Sequence, residues 1–210
     1  MAVLSELEPN KVFKYFEEIC SIPHGSRNLQ QISDYLVDFA KAHELKYRQD
    51  EDLNVIIWKD GSKGYEASEP VILQGHMDMV AVKEADCDKD MEKEGLDLEI
   101  NGDYISAKGT SLGGDDGIAV AYTLAVLDDE EMAHPPIEAI FTVNEEIGML
   151  GAATIDVSDL KGRLFMNMDS EDEGVFTVSC AGGASVICKI PYETETVNAS
   201  VIEIKMTGFA

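Results

Sequence analysis

The chain has 210 residues, of which 45% are hydrophobic, and this length and apolar content are sufficient for a packed globular core. Its 41 acidic residues and only 16 lysines and arginines give a formal net charge of -25. A charge of this sign repels nucleic acid phosphates and anionic membrane surfaces, which argues against both as partners.

The chain carries no pattern of secretion or membrane insertion. Its start, MAVLSELEPNKVFKYF, lacks a basic segment followed by an unbroken apolar stretch, and no later run approaches the roughly 18 apolar residues of a membrane span. The four cysteines show no zinc-ribbon spacing, so we interpret them as free thiols. These features predict a soluble, cytoplasmic protein.

The first half of the chain predicts two helices followed by two strands. Apolar residues recur at helical spacing from about Asn10 to before Pro23, and again over 28–42. Short β-branched runs at 54–58 and 70–73 are bounded by Gly, Asp and Pro. Such runs are typical of central strands that are buried on both faces.

The next segments continue the alternation of strands and helices. Asn101-Gly102 lies between two alternating runs and predicts a hairpin. The apolar run 118–127 predicts a buried helix that begins right after Gly117, and 137–143 and 163–168 read as further strands. We therefore predict an α/β fold with a doubly wound mixed sheet and helices on both faces.

The pattern changes near Gly182-Gly183. The segments 185–190 and 200–206 alternate apolar and polar residues, which predicts two strands outside the first sheet. We therefore predict one domain over 1–183 and the beginning of a second domain over 184–210.

The motif QGHMD follows an apolar strand and contains the first candidate metal ligand. His76 and Asp78 are two residues apart, so an extended backbone projects both to the same face. A ligating imidazole commonly donates its second N–H to a carboxylate, and this spacing can supply that contact. The pair alone is weak support, because a single histidine is more often an ordinary hydrogen-bonded residue.

The motif GGDDG contains two carboxylates at the start of the predicted helix. The simpler interpretation is helix capping, because Asp near a helix start accepts backbone N–H bonds. The surrounding glycines instead indicate a tight backbone of the kind found at functional sites. A carboxylate can bridge two cations, which makes Asp115 a candidate bridge.

Further carboxylates follow two predicted strands. Glu145 and Glu146 can serve one site only if the chain turns there, and Gly148 permits such a turn. Metal-assisted hydrolysis needs one carboxylate bound to the metal and one unbound carboxylate that transfers a proton. The alternative is that the two glutamates are solvent-exposed charges at the start of a helix. Asp169 follows the last apolar run of this region and is a candidate final ligand.

The motifs are more specific together than singly. In this order and at these intervals, HMDMV, TSLGGDDGIA, TVNEEIGMLGA and NMDSEDEG resemble the zinc metallopeptidase family of carnosinases and glutamate carboxypeptidases. The resemblance is closest to the aminoacyl-histidine dipeptidase branch, which CSIPHGS and SCAGG also resemble. It extends over essentially the whole chain.

The resemblance implies a role for each motif residue. His76 and Asp169 would bind one Zn²⁺ and Asp115 would bridge to a second, which Glu146 would bind. Asp78 would orient His76, and Glu145 would be the general base. It also implies a cis peptide bond directly after Asp115, and many members of the branch have Asn at the next position.

The resemblance also implies a longer enzyme. Members of the family usually contain an inserted α+β lid domain and a last histidine ligand near the C-terminus, and His24, His43 and His134 lie outside matching positions. We therefore expect an N-terminal portion with a truncated lid at 184–210. The second zinc would then have only Asp115 and Glu146 as ligands, too few protein ligands for tight tetrahedral binding.

The resulting hypothesis is a zinc-dependent dipeptidase that hydrolyses Xaa-His and related dipeptides through a metal-activated water, with a glutamate general base. The alternatives are an N-acyl amino acid deacylase or tripeptide aminopeptidase of the same family, and a catalytically incomplete fragment. The expected cofactor is two Zn²⁺ per complete site, with Co²⁺ or Mn²⁺ as substitutes. A small peptide is the expected substrate, and a homodimer through the lid is the expected assembly.

Overall fold

The helices and strands all lie in the first part of this computed structural model, which describes residues 3–170, 174–180, 182–184, 186–196, 200 and 202–205. The chain divides into two compact units, Met1–Glu173 and Gly174–Ala210. In chain order the elements are α1 (Asn10–Cys20), α2 (Gln30–Ala42), β1 (Lys46–Gln49), β2 (Val55–Lys59), β3 (Val71–His76), β4 (Leu98–Asn101), β5 (Tyr104–Ala107), α3 (Gly114–Leu127), β6 (Ile137–Thr142), α4 (Leu150–Thr154) and β7 (Leu164–Asn167).

Five strands form one mixed sheet in the order β1-β2-β6-β3-β7. Strands β1 and β2 are antiparallel to each other, and β2 is antiparallel to β6. Strand β3 runs parallel to both β6 and β7. This arrangement confirms the predicted mixed α/β sheet, and it brings the carboxyl ends of β3, β6 and β7 to one edge, where open α/β sheets bind ligands.

The two faces of the sheet are covered by different parts of the chain. Helices α1, α2 and α3 pack on one face, in a core that includes Phe16, Leu36, Leu124 and Phe141. On the other face, Ile155 and Leu160, which follow α4, pack against a smaller cluster of Ile56, Ile72 and Ile140. None of the described helices is long and apolar enough to cross a membrane.

The described residues of the second unit contain neither helix nor strand, so the predicted strands are not formed at 186–190 and 202–205. Their side chains are exposed, and those of Ile187 and Ile204 are more than four-fifths exposed. Alternation alone does not make a strand, because the backbone N–H and C=O groups need a paired neighbour. Residues 185, 201 and 206 lie outside the described residues, and the division into domains 1–183 and 184–210 stays a prediction.

Candidate metal centre

His76 is the last residue of β3 and lies at the centre of the site. Its side chain is almost fully buried, and its Nδ1 lies 3.0 Å from the backbone oxygen of Asp78 and 3.5 Å from Asp78 Oδ1. Its Nε2 faces the other way, 3.1 Å from Asp115 Oδ1, 3.9 Å from Glu145 Oε2 and 4.0 Å from Asp169 Oδ2. One nitrogen of the imidazole is therefore held by Asp78, while the other is directed at three carboxylates.

The surrounding acids change the protonation of His76. Burial disfavours the charged imidazole, but the hydrogen bond with Asp78 and the charges of Asp116, Asp78 and Asp169 outweigh it and raise the pKa of His76 to about 9. A metal ligand must be the neutral imidazole, so a cation that binds here displaces a proton. The electrostatic field that raises this pKa also attracts a cation.

Asp78 connects the end of β3 to the segment that carries the two glutamates. Its Oδ1 accepts a hydrogen bond from the N–H of Glu145 at 2.9 Å, and its Oδ2 accepts one from Ser26 Oγ at 2.7 Å and one from the N–H of Glu146 at 3.4 Å. Burial opposes the charge of Asp78, but the donors of His76, Glu145 and Ser26 lower its pKa below the ordinary value. Asp78 is thus an ionised acceptor that several segments share.

The GGDDG motif places its two carboxylates differently. Helix α3 is non-helical at Asp115 and Asp116, and the peptide bond between them is cis as the resemblance implied. Regular helix geometry resumes at Gly117, one residue before the predicted start. The side chain of Asp115 is 57% exposed and reaches His76 Nε2. Asp116 is only 2% exposed, and its Oδ2 accepts a hydrogen bond from the backbone N–H of His76 at 3.0 Å.

Asp116 is a site residue that the sequence analysis did not assign a role. A Cβ on Gly75 would lie 2.8 Å from Asp116 Oδ2, so glycine at this position allows α3 to approach β3 closely. Burial raises the pKa of Asp116 to about 7, against the opposing effect of His76. The doubled Asp in the motif was the available signal, but helix capping explained it equally well.

The chain turns directly after β6, as the paired glutamates required. The turn begins at Asn144, whose φ of 54° is in the left-handed region that Asn tolerates, and the N–H of Gly148 donates to the backbone oxygen of Glu145 at 2.8 Å. Burial raises the pKa of both Glu145 and Glu146, and the charges of nearby acids reinforce this effect while His76 opposes it. The turn places both side chains beside His76.

All six predicted site residues therefore lie together. Among the residues that the structure describes, ligand atoms within 4.8 Å of one another occur in two sets, His76 with Asp115 and Glu146, and His76 with Glu145 and Asp169. One imidazole with several carboxylates suits Zn²⁺, so the donor set fits the expected metal. The assignment of ligands, base and orienting residue stays a prediction. A cavity of about 210 Å³ adjoins these groups and is lined by Gly114, Asp115, Asp116, Ile118, Met168, Asp169 and Ser170.

Fold and site together define a mixed α/β domain with a centre of one histidine and several carboxylates at the sheet edge. No protein-family model matches the chain. The chain is 38% identical over 207 residues to the cytosol non-specific dipeptidase of Escherichia coli, a match that covers 99% of this chain and 43% of the relative.

Solved structures agree with this relationship. The aminoacylhistidine dipeptidase of Vibrio alginolyticus matches with a TM-score of 0.79 and 41% identity, over 81% of this chain and 35% of that protein. A tripeptidase of Staphylococcus aureus matches with a TM-score of 0.65 and 22% identity, over 79% of this chain and 44% of that protein, and shows the shared fold alone. The resemblance to the aminoacyl-histidine dipeptidases is confirmed, and the chain spans less than half the length of these relatives.

Proposed function

We propose that this chain supplies the metal centre of a zinc-dependent dipeptidase of the cytoplasm. The observation that carries the proposal is the orientation of His76, whose Nε2 lies within 4.0 Å of carboxylate oxygens of Asp115, Glu145 and Asp169. The imidazole is already held through Nδ1 by Asp78, as in metal sites where a carboxylate fixes the ligating tautomer.

The proposed metal ligands are His76, Asp115, Glu146 and Asp169, with Co²⁺ and Mn²⁺ as substitutes for Zn²⁺. When bound, the metal would polarise the scissile carbonyl and make a water molecule more acidic. Its proposed place is the sheet edge where these side chains converge.

Glu145 is the proposed general base. Burial, opposed by His76 and reinforced by Asp169, raises the pKa of Glu145, the direction that favours uptake of a proton. Glu145 would take a proton from the attacking water and donate it to the leaving amine as the C–N bond breaks. Its N–H bond to Asp78 would hold it beside His76.

The proposed substrates are dipeptides, Xaa-His among them. One relative is named a non-specific dipeptidase and another an aminoacylhistidine dipeptidase, so both names specify dipeptides and differ in breadth. A homodimer formed through a lid domain stays a prediction.

The complete gene product tests this function. We expect it to release free amino acids from Xaa-His and other dipeptides, to lose this activity on chelation and to regain it with Zn²⁺. Tripeptides and N-acyl amino acids separate the alternative substrates. Activity that survives complete metal removal would exclude the metal mechanism, and failure to cleave any dipeptide would exclude the dipeptidase.

A further inference from the structure

The loop 22–28 between α1 and α2 contains most of the motif CSIPHGS, which the proposed chemistry does not use. Its backbone lies along the segment that follows β3, where Gly25 and Met79 form a parallel bridge. The N–H of Ser26 donates to the oxygen of Met79, and the N–H of Met79 donates to the oxygen of His24, both at 3.2 Å. The loop is therefore aligned with the segment that contains Asp78.

The close approach of the two segments depends on Gly25. A Cβ at this position would lie 2.6 Å from the Cβ of Ala81, so a larger residue would separate the loop from the segment after β3. His24 is 2% exposed, and its Nδ1 lies 2.6 Å from the backbone oxygen of Ile22, a buried contact within the loop itself. The position of Ser26 is thus determined by the backbone around it.

Two hydrogen bonds connect this loop to the site. Ser26 Oγ donates to Asp78 Oδ2 at 2.7 Å, and the N–H of Arg27 donates to Asn144 Oδ1 at 2.8 Å. The first reaches the carboxylate that contacts His76, and the second reaches the residue at which the turn with Glu145 begins. One loop therefore contacts both the strand side and the turn side of the centre.

We propose that the loop 22–28 is a positioning clamp, in which Ser26 and the N–H of Arg27 keep the Asp78 carboxylate and the Asn144 turn in register. With Oδ2 held by Ser26, Oδ1 of Asp78 stays directed at His76 and at the N–H of Glu145. Hydrogen bonds to a buried carboxylate are among the stronger ones in proteins, so the Ser26 hydroxyl adds to the N–H groups of Glu145 and Glu146 in fixing this rotation. The catalytic consequence rests on the proposed dipeptidase function, whereas the effect on metal binding does not.

Substitution of Ser26 tests the clamp. In Ser26→Ala we expect both Co²⁺ affinity and kcat to fall about tenfold, the range for residues that orient metal ligands, with little change in KM. We also expect a changed Co²⁺ absorption spectrum, and we expect Ser26→Thr to restore the wild-type values. Metal binding is measured on the 210-residue chain and kinetics on the complete gene product.

Ser33→Ala is the matched control, because Ser33 Oγ also donates a 2.7 Å hydrogen bond, here to the backbone oxygen of Leu53. We expect this variant to lower stability without changing the Co²⁺ spectrum or kcat. Asn144→Gly removes the acceptor of the Arg27 N–H, and glycine tolerates the positive φ at this position. We expect this variant to lower kcat, as Ser26→Ala does.

The outcomes separate the clamp from the function. If the wild-type gene product cleaves no dipeptide, the proposed function is wrong, and the Co²⁺ measurements still decide the clamp. If Ser26→Ala binds Co²⁺ with wild-type affinity and spectrum, or changes no more than Ser33→Ala, the clamp is wrong. Should Ser26→Ala not fold, wild-type kinetics in Asn144→Gly would overturn the proposal.

Discussion

Two sides of the candidate metal centre differ in how tightly they are held. On the buried side, His76 and Asp78 are at most 1% exposed, and His76 Nδ1 and the Asp78 carboxylate contact one another, backbone groups and Ser26 Oγ. On the open side, the side chains of Asp115, Glu145 and Asp169 are 57%, 31% and 33% exposed and surround His76 Nε2. The centre thus separates groups that fix geometry from groups that can exchange partners with a metal and a substrate.

The position of each side in the sheet explains the difference. Strand β3 lies between β6 and β7, so its carboxyl end is covered by neighbours. The open-side acids Glu145 and Asp169 instead follow the ends of β6 and β7, and Asp115 lies at the start of α3. Asp115 and Asp116 show the boundary most clearly, because adjacent residues in one motif lie on opposite sides of it. A site built in this way has a rigid support beneath an accessible surface.

The largest expected effect comes from the open side. Glu145→Gln keeps the shape of the side chain but removes its ability to accept a proton, so we expect kcat to fall by about 10²–10⁴ in the gene product. Zinc content should stay at the wild-type level, because Glu145 is not a proposed ligand. Steady-state kinetics with parallel metal analysis measures both, and a wild-type kcat would mean that another group is the base.

A smaller effect is expected from the buried side. Asp78→Asn removes the charge that contacts His76 and accepts the N–H of Glu145, so we expect metal affinity and kcat to fall together by about 10–100-fold. Zinc titration and kinetics measure this.

Glu138→Gln is the control for Asp78→Asn, because Glu138 is also buried, accepts backbone N–H bonds from Lys161 and Gly162, and lies at the opposite end of β6. We expect Glu138→Gln to lower stability and leave metal affinity unchanged. Equal losses of metal affinity in the two variants would show that Asp78 acts only through stability.

The sequence predicted the open side better than the buried side. Apolar spacing is local, so it located β3, α3 and β6, but it missed β1, whose residues KYRQ are strand only because they pair with β2. The motifs and the family resemblance supplied all six candidate site residues. The contacts Ser26 to Asp78 and Asp116 to His76 join residues 52 and 40 positions apart, and only the folded chain brings them together.

Gly75→Ala tests whether both sides of the metal centre depend on the close approach of α3 to β3. In Gly75→Ala the new Cβ would lie 2.8 Å from Asp116 Oδ2 and 3.0 Å from the Cβ of Ala119, so the start of α3 must shift. We expect the free energy of unfolding to fall by about 1–3 kcal/mol, the usual range for overpacking, with weaker metal binding. Urea unfolding of Gly183→Ala, where an added Cβ meets no atom within 4 Å, is the control. Unchanged metal affinity would show that the shift does not reach Asp115.

The smallest expected effect depends on pH and concerns Asp116. Its folded pKa of about 7 exceeds its ordinary value of 3.8 because of burial, so the folded chain binds more protons than the unfolded chain between these values. This contribution to stability is therefore present at low pH, falls as pH rises through the window and is lost above about 7. Asp116→Asn has no carboxylate to ionise and should not show this loss.

We expect metal-free Asp116→Asn to exceed the wild type in free energy of unfolding by about 1–2 kcal/mol at about pH 8.5, with the difference shrinking towards about pH 4. The gain is less than the full shift because the new amide N–H₂ group is itself buried. Urea unfolding at both pH values measures it, and ionisable groups that do not interact with Asp116 cancel in the comparison, whereas His76 contributes to the measured difference. A difference that is the same at both pH values would mean that packing, and not the charge of a buried acid beside His76, limits stability on this side of the centre.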